Sequence, residues 1–275
     1  MVKKVSIQGY EGSFHQVAAQ QYFGKNVEII PCATFREVIK KAMGKNEADA
    51  AVMAIENSIA GSILPNYNLL QNSNLLIVGE VYLKIKQNLL VNRGVQLEDI
   101  KEVHSHPMAL LQCMDYLEKY NWKLVESDDT ALSAKHIHQH KNKHTAAVAS
   151  KLAAELYNLD IMAPGIENAK NNYTRFLVLQ KAGSFENEII ADKASINFRT
   201  DHSKGSLAKV LNVIAAAGIN LSKLQSFPIA GSNFKYAFHA DLEFESSIVF
   251  TKTIDKIKEL TAFVKVYGVY KNGNC

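Results

Sequence analysis

The sequence contains little cysteine and no long hydrophobic run, and both absences narrow the class of protein. Its 275 residues include three cysteines, Cys32, Cys113 and Cys275, which lie far apart and form no C-x-x-C pair. An odd, scattered set indicates a reducing compartment and argues against a disulfide framework or a zinc site. No stretch reaches the roughly 18 consecutive apolar residues of a membrane span, so we expect no membrane association.

The chain also lacks blocks of one charge. Its 31 Lys and Arg and 27 Asp and Glu give a formal net charge of +4, and no basic stretch is interleaved with aromatic residues. This composition argues against a nucleic-acid partner. Residues 1–9 contain no signal-peptide apolar core, so we expect a cytoplasmic protein. Histidines crowd one predicted helix end, but no cysteine or paired carboxylate completes a metal site there, so we expect no metal.

Strands and helices alternate through the first 180 residues. Predicted strands such as Lys4–Gln8 and the apolar run Ala48–Ile55 are followed by helical segments, the first of them with Ser13 as its N-cap. This alternation is typical of an α/β fold with largely parallel sheets. The polar residues 181–193 predict a linker. From Ala194 onward the order β-α-β-β-α-β predicts a ferredoxin-like domain.

Two prolines set predicted boundaries. Pro31 closes a predicted strand over Val27–Ile30, because proline cannot donate a ladder hydrogen bond. Pro107 begins a predicted helix that runs to about Tyr120, with Gln112 roughly a turn and a half along it.

Small polar residues stand at three strand-to-helix junctions: Gly12-Ser13-Phe14, Glu56-Asn57-Ser58 and Ser105-His106-Pro107. In α/β sheets, ligands bind outside the carboxyl ends of the strands, where helix N-termini offer free N–H groups to anions. Each junction taken alone is explained equally well by helix capping.

A fourth polar stretch, Asn171–Phe176, leads into an apolar run with strand propensity. Arg175 there needs an anionic partner, because an unpaired buried charge is very costly. That partner is either a substrate carboxylate or an internal ion pair. Neighbouring residues of a strand point to opposite faces, so either Thr174 still lies in the loop or Arg175 serves the scaffold.

Taken together and in this order, these stretches resemble the prephenate dehydratase family over most of residues 4–180. The last 80 or so residues resemble the ACT regulatory domain that follows in this family. The sequence departs from the family pattern at Ala54, where proline is usual, and at Met108, where glutamine is usual. The ACT signature Glu-Ser-Arg-Pro is replaced by Gln225–Pro228.

The resemblance implies a two-lobed catalytic region at 1–182, like a type II periplasmic binding protein, and an ACT domain at 193–275. The chain would cross between the lobes near 80–95 and return near 160–175. It also implies a homodimer or homotetramer, because ACT units usually pair in this family.

The resemblance further implies a reaction without cofactor or metal: prephenate loses carbon dioxide and its ring hydroxyl to give phenylpyruvate, in phenylalanine biosynthesis. Thr174 would donate a hydrogen bond to the leaving hydroxyl, with the proton supplied by a water or by His106. Arg175 would bind a substrate carboxylate, and Glu56 would be hydrogen-bonded to the backbone behind the substrate. The implied substrate-binding residues are Asn57, Ser58, Ser105, Gln112, Arg175, Ser13, Phe14 and Phe176.

Phenylalanine is the implied effector, and the residues implied to bind it are Gly205, Ser206, Leu207, Asn220 and Leu221. Phe227 stands where the family has arginine, so we expect weaker phenylalanine binding than is usual. Strict alternation would put Phe227 on one strand face with Leu221, Lys223 and Gln225.

Two alternatives stay open. An arogenate dehydratase would perform the same chemistry on the amino acid, and would need a site for an ammonium group; Glu56 is the only carboxylate in these motifs that could bind one. A non-catalytic amino-acid-sensing or solute-binding protein would share the fold. The missing signal peptide and the intact Thr174-Arg175-Phe176 argue against that second alternative.

Overall fold

The computed structural model of the chain describes residues 2–183, 191–201, 203–229, 231 and 235–273. Within these ranges the chain divides into two compact units. One holds the residues up to Ser73 together with Val81–Leu177, and the other holds Asn74–Glu80 and the residues from Val178 onward.

The first lobe is built on one sheet. Its elements are β1 (Lys4–Gln8), α1 (Phe14–Phe23), β2 (Glu28–Cys32), α2 (Phe35–Met43), β3 (Ala50–Asn57), β4 (Gly61–Ser62), α3 (Leu64–Gln71) and β5 (Leu75–Lys84). β1 pairs in parallel with β2 and β3. Val5 and Ile7 on one face of β1 and Ser6 on the other are all fully buried, so both faces of this strand are covered.

The second lobe is built on a second sheet. Its elements are β6 (Asn88–Val91), a 3-10 turn (Leu97–Asp99), β7 (Glu102–Ser105), α4 (Pro107–Leu111), α5 (Met114–Leu117), β8 (Lys123–Glu126), α6 (Thr130–Gln139), β9 (Thr145–Ala149), α7 (Lys151–Leu156) and β10 (Asp160–Ala163). The strand order is β10-β6-β9-β7-β8. β7 is parallel to β8 and β9, whereas β6 is antiparallel to β9 and β10.

The chain then returns to the first sheet as β11 (Tyr173–Lys181), which completes the order β2-β1-β3-β11-β5. It therefore leaves the first sheet after Lys84 and re-enters it at Tyr173. β5 and β11 each contribute residues to both compact units.

The remaining elements form a third, antiparallel sheet. They are β12 (Lys193–Arg199), α8 (Ser206–Ala216), β13 (Asn220–Pro228), β14 (Tyr236–Glu243), α9 (Ser247–Leu260) and β15 (Phe263–Tyr270). The strand order β13-β14-β12-β15 is that of a ferredoxin-like fold, and residues of both helices pack on its core. The α/β fold class with a ferredoxin-like C-terminal part is confirmed.

Three predicted boundaries were wrong. Pro31 lies within β2, opposite Ile7, because β2 is an edge strand and its outward side needs no N–H donor. The helix predicted from Pro107 breaks into α4 and α5 around Cys113. The Asn168 backbone N–H donates to the Gln112 carbonyl at 2.7 Å, and its side-chain oxygen accepts from the Asp115 N–H at 3.2 Å. β10 was missed, because Pro164 and Gly165 made its surroundings look like a loop.

Strict alternation fails in β13. The register with β14 shifts between Leu221 and Lys223, so Leu221 stands opposite Leu242 whereas Lys223 stands opposite Asp241. This bulge turns Leu221 to the opposite face from Phe227, which corrects the predicted grouping. Most of the predicted linker lies outside the described residues, as does part of the segment between β13 and β14.

No helix within the described ranges is both long and apolar enough to cross a membrane.

Candidate active site

The strand ends of the two lobes meet at one cavity of about 280 Å³, which we call the cleft cavity. The first lobe contributes residues after β1 and from β3 and β11, and the second lobe contributes residues after β7 and β8. Its polar lining side chains are Ser13, His15, Asn57, His106, Gln112, Asp129, Thr130 and Thr174.

The amide of Asn57 organises the first-lobe wall of this cavity. Its Oδ1 accepts the backbone N–H groups of Ile59 and Ala60 at 3.0 and 2.9 Å. Backbone N–H groups can only donate, so these two bonds fix which end of the amide is oxygen. The Nδ2 group must therefore face Asn172 Oδ1 at 2.6 Å and Thr174 Oγ1 at 3.0 Å.

Because Thr174 accepts from Asn57, its own hydroxyl proton is left to donate elsewhere. No residue in the described part of the chain accepts that proton, and Thr174 lines the cleft cavity. Phe176, two residues along β11, lines the same cavity, as strand alternation requires. The hydroxyl is therefore held as a donor toward whatever occupies the cavity.

Arg175 lies on the other face of β11 and does not line the cavity, against its predicted role in substrate binding. Its side chain is 3% exposed, and its Nη1 lies 3.1 Å from Glu56 Oε1. Its guanidinium carbon also lies 5.9 Å from the centre of the Tyr82 ring. Of the two interpretations of Arg175, the structure favours the internal ion pair. The Glu56 carboxylate, which was predicted to hydrogen-bond to the backbone, forms this ion pair with Arg175.

Two other predicted binding residues do not reach the cavity. Ser58 Oγ accepts the Tyr173 N–H at 2.9 Å and donates to the Asn171 carbonyl at 3.4 Å, which ties down the segment before Thr174. Ser105 is fully buried, and its hydroxyl donates to the Val148 carbonyl at 2.6 Å between β7 and β9. Both serines therefore stabilise the backbone next to the site without lining the cavity.

The structure does bring Ser13, Phe14, Asn57, Gln112, Thr174 and Phe176 together around the cleft cavity. Phe14 also lines a larger cavity of about 860 Å³. That larger cavity includes none of Asn57, Gln112 and Thr174, so the smaller one is the candidate site.

Comparison with known proteins identifies the family. The family model described as prephenate dehydratase matches residues 5–184. The chain belongs to the prephenate dehydratase family. It is therefore an enzyme, a lyase of phenylalanine biosynthesis, and the non-catalytic alternative is set aside.

Relatives of this family member carry more than one description. The arogenate dehydratase/prephenate dehydratase 2 of Arabidopsis thaliana is 38% identical, over 97% of this chain and 72% of its own length. A prephenate dehydratase from Arthrobacter aurescens, solved in complex with L-Phe, is 25% identical with a TM-score of 0.86, covering 98% of this chain and 90% of its own. GqqA, described as a novel type of quorum-quenching acylase, is 29% identical with a TM-score of 0.88, covering 98% of each chain.

His15 is a lining residue that sequence reasoning missed. Its Nε2 accepts the Ala54 backbone N–H at 3.4 Å, which leaves the ring proton on Nδ1. The ring packs against Phe35 and Phe176, with centroids 5.5 and 5.0 Å away. Burial lowers the pKa of His15 from 6.5 to about 3, so it is a neutral donor at pH 7.

Asp129 was not among the predicted site residues. Its Oδ1 accepts the Leu132 N–H at 2.9 Å as the N-cap of α6, yet the residue also lines the cleft cavity. Burial raises the pKa of this carboxyl above its usual value. Asp129 follows β8 as His106 follows β7, so the strand-end rule applied to β8 would have found it.

The charges of the cleft cavity are few. Among its described lining residues none is lysine or arginine, and Asp129 is the only carboxylate. No group of three or more His, Cys, Asp or Glu suited to a metal ion occurs in the described part of the chain.

The predicted effector residues form two groups, one at the start of α8 and one at the start of β13. Ser206 and Leu207 line a cavity of about 260 Å³ at the start of α8. Gly205 precedes that helix with φ 80°, a value that favours glycine. Asn220 donates to Glu243 Oε2 at 2.8 Å, and Leu221 packs on the core of the third sheet. Of the five, only Ser206 and Leu207 line this cavity, and their role in effector binding stays a prediction.

Proposed function

We propose that the cleft cavity carries out the decarboxylating dehydration of prephenate to phenylpyruvate, with Thr174 donating to the departing hydroxyl. The observation that carries this proposal is the Asn57–Thr174 hydrogen bond of 3.0 Å, which leaves the threonine proton directed away from its scaffold. A preorganised donor aimed at a leaving oxygen stabilises the charge that develops there.

The reaction needs little more than such donors. The electron pair of the breaking carbon–carboxylate bond enters the ring as carbon dioxide leaves, and the carbon–oxygen bond breaks with its pair on the hydroxyl oxygen. One proton is taken up, giving water, and the ring becomes aromatic. Thr174 is too weak an acid to be its ultimate source.

His106 is a candidate for that source. Its Nδ1 accepts the Met108 N–H at 3.2 Å as the cap of α4, so in the neutral ring the proton is on Nε2. It lines the same cavity as Thr174. A proton from His106, directly or through a water, would pass to the leaving hydroxyl through the Thr174 hydroxyl.

Neutral donors replace the cation that the sequence predicted for the substrate carboxylates. Ser13 marks the N-terminus of α1 at the cavity, where free N–H groups and the helix dipole favour anions. His15 and Gln112 add an imidazole N–H and an amide. Apolar side chains, including Ile63, Ile85 and Phe176, also line the cavity and would contact the ring.

The direct test is product formation by the purified chain with prephenate and with arogenate in parallel. We expect phenylpyruvate and carbon dioxide from prephenate, and arogenate is tried because the Arabidopsis relative bears both names. Binding of prephenate without product would contradict the proposal.

Amide hydrolysis, the activity named for GqqA, is less well supported. A hydroxyl nucleophile needs a base hydrogen-bonded to it, whereas the described hydrogen-bond partner of Thr174 is the NH2 group of Asn57, and no described hydrogen bond joins Thr174 to His106 or Asp129. An N-acyl amide offered to the same preparation tests this, and we expect no hydrolysis.

We further propose that phenylalanine binds the C-terminal domain and lowers activity, and that the chain assembles as a homodimer or homotetramer. The L-Phe complex of the Arthrobacter relative supports the effector, as does the cavity of Ser206 and Leu207. Phe227 is 6% exposed, so an arginine in its place would have to be buried there. Absence of binding heat at millimolar phenylalanine would contradict the effector, and a monomer by light scattering would contradict the assembly.

A further inference from the structure

A single carboxylate in a cavity without lysine or arginine is an unexpected lining for a dianionic substrate. Asp129 is 9% exposed and lines the cleft cavity together with Asn57 and Thr174. A carboxylate there repels substrate carboxylates and the oxygen of a keto group, whereas an ammonium group would offer it three N–H donors.

We propose that the carboxylate of Asp129 binds a primary ammonium group on the substrate side chain, so that the enzyme accepts arogenate and Asp129 sets its preference over prephenate. This inference rests on the proposed function, since it names the substrate class of the same cavity.

The geometry leaves the Asp129 carboxylate able to accept further bonds. A carboxylate has about four acceptor sites, and the cap uses the N–H groups of Leu132 and Ala131. On its other side stands Gly9, where a Cβ atom would come within 2.6 Å of Asp129 Oδ2. Gly9 therefore keeps room for the carboxylate at this position.

No other described carboxylate suits this role. Glu56, the earlier candidate, pairs with Arg175 and does not line the cavity. The imidazole of His15 is neutral, which leaves His106 as the only other titratable lining group. His106 is the neighbour whose charge favours the ionised Asp129 carboxylate, and no lysine or arginine is among the described lining residues, so a partly desolvated carboxylate here gains from a cationic ligand.

The structural alternative is that Asp129 only caps α6. Asn and Ser cap helices about as well as Asp, so Asp129→Asn and Asp129→Ser keep the cap and remove the charge. Asp128→Asn is the matched control, because Asp128 is the adjacent acidic residue, is exposed and does not line the cavity.

The measurement is kcat/KM for arogenate and for prephenate with wild type and the three variants. We expect Asp129→Asn to lower the arogenate-to-prephenate ratio about 10–100-fold, the usual effect of losing one charge-assisted hydrogen bond. Asp129→Ser should do the same, and Asp128→Asn should leave the ratio unchanged.

Two results would overturn the inference while leaving the proposed function intact. One is a wild-type enzyme that converts prephenate but not arogenate. The other concerns the two Asp129 variants. If their arogenate-to-prephenate ratio of kcat/KM stays within about twofold of wild type while both activities fall to the same extent, the role of Asp129 is purely structural. Conversion of neither substrate by wild type would instead reject the proposed function, and this inference with it.

Discussion

The donor role of Thr174 depends on the orientation of one neighbouring amide. Asn57 Oδ1 accepts hydrogen bonds from two backbone N–H groups. This fixes the orientation of the amide, so its Nδ2 group faces Thr174. A threonine hydroxyl without that partner could rotate its proton toward several acceptors. Asn57 therefore acts on the chemistry by fixing the hydroxyl, as well as by any contact of its own with substrate.

Replacing Asn57 with alanine should lower kcat by about tenfold or more, because the Thr174 hydroxyl loses the bond that orients it. Steady-state kinetics with the preferred substrate measure this change. A kcat equal to that of wild type would show that the orientation of Thr174 does not depend on Asn57.

Ser105→Ala is expected to behave differently, although the sequence placed Ser105 with Asn57. The Ser105 hydroxyl is buried and donates to Val148 away from the cavity, so its loss should lower the free energy of unfolding by about 1–2 kcal/mol. Urea unfolding measures the stability, and kcat and KM should stay near wild type. A large kinetic effect at unchanged stability would return Ser105 to the binding site.

At the residue scale, the sequence predicted several of the residues that line the cavity, but few of the hydrogen bonds and ion pairs that position them. Strand alternation already implied that Thr174 and Arg175 diverge, and that is how β11 presents them. The partner of Arg175 could not be predicted, because Glu56 lies 119 residues earlier in the chain. The cavity position of Asp129 was missed because the strand-end rule was not applied to β8.

At the scale of elements, a buried ion pair joins β5 to β12. Lys193 Nζ lies 2.8 Å from Glu80 Oε1, and their side chains are 2% and 0% exposed. Glu80 Oε1 also accepts the Gly273 N–H at 3.2 Å, and Glu243 lies 3.6 Å from the same lysine. These residues all belong to the second compact unit.

Glu80→Ala should lower the free energy of unfolding by about 3 kcal/mol, because it leaves a buried lysine with a weaker partner. The control is Glu155→Ala, which breaks the exposed pair of Lys151 and Glu155 and should cost about 0.5 kcal/mol or less. Denaturant unfolding of both variants compares them. Equal and small losses would show that Lys193 is satisfied without Glu80.

Element order was predictable, whereas interruptions within elements were not. Apolar periodicity and the cap Ser13 predicted the start of α1. The break between α4 and α5 follows from hydrogen bonds with Asn168, more than 50 residues away, and the bulge in β13 follows from its register with β14. Both depend on distant partners, which local propensity does not describe.

At the scale of the whole molecule, the neutral imidazole of His15 makes stability depend on pH. The pKa of His15 is lowered by burial to about 3 from 6.5, so the unfolded chain binds a proton more readily than the folded one between these values. Folding stability from His15 is therefore complete above pH 6.5 and is lost as the pH falls toward 3, by up to about 1.4 kcal/mol per pH unit.

His15→Gln, which cannot titrate, should show a flatter loss of stability between pH 6.5 and 5 than wild type. Urea midpoints at several pH values in this window measure the two slopes, and carboxyl groups contribute mainly below it. If wild type and the variant show the same slope, protonation of His15 does not change the free energy of unfolding.

Turnover of Thr174 variants tests the account's central claim most directly. Thr174→Ser keeps a hydroxyl at the end of the Asn57 amide, whereas Thr174→Ala removes it and leaves the cavity wall otherwise similar. The account predicts that the serine variant stays within about tenfold of wild-type kcat and that the alanine variant falls by about 10²–10³, with nearly unchanged stability. An alanine variant that turns over at the wild-type rate would contradict it, because the departing hydroxyl would then need no donor from Thr174.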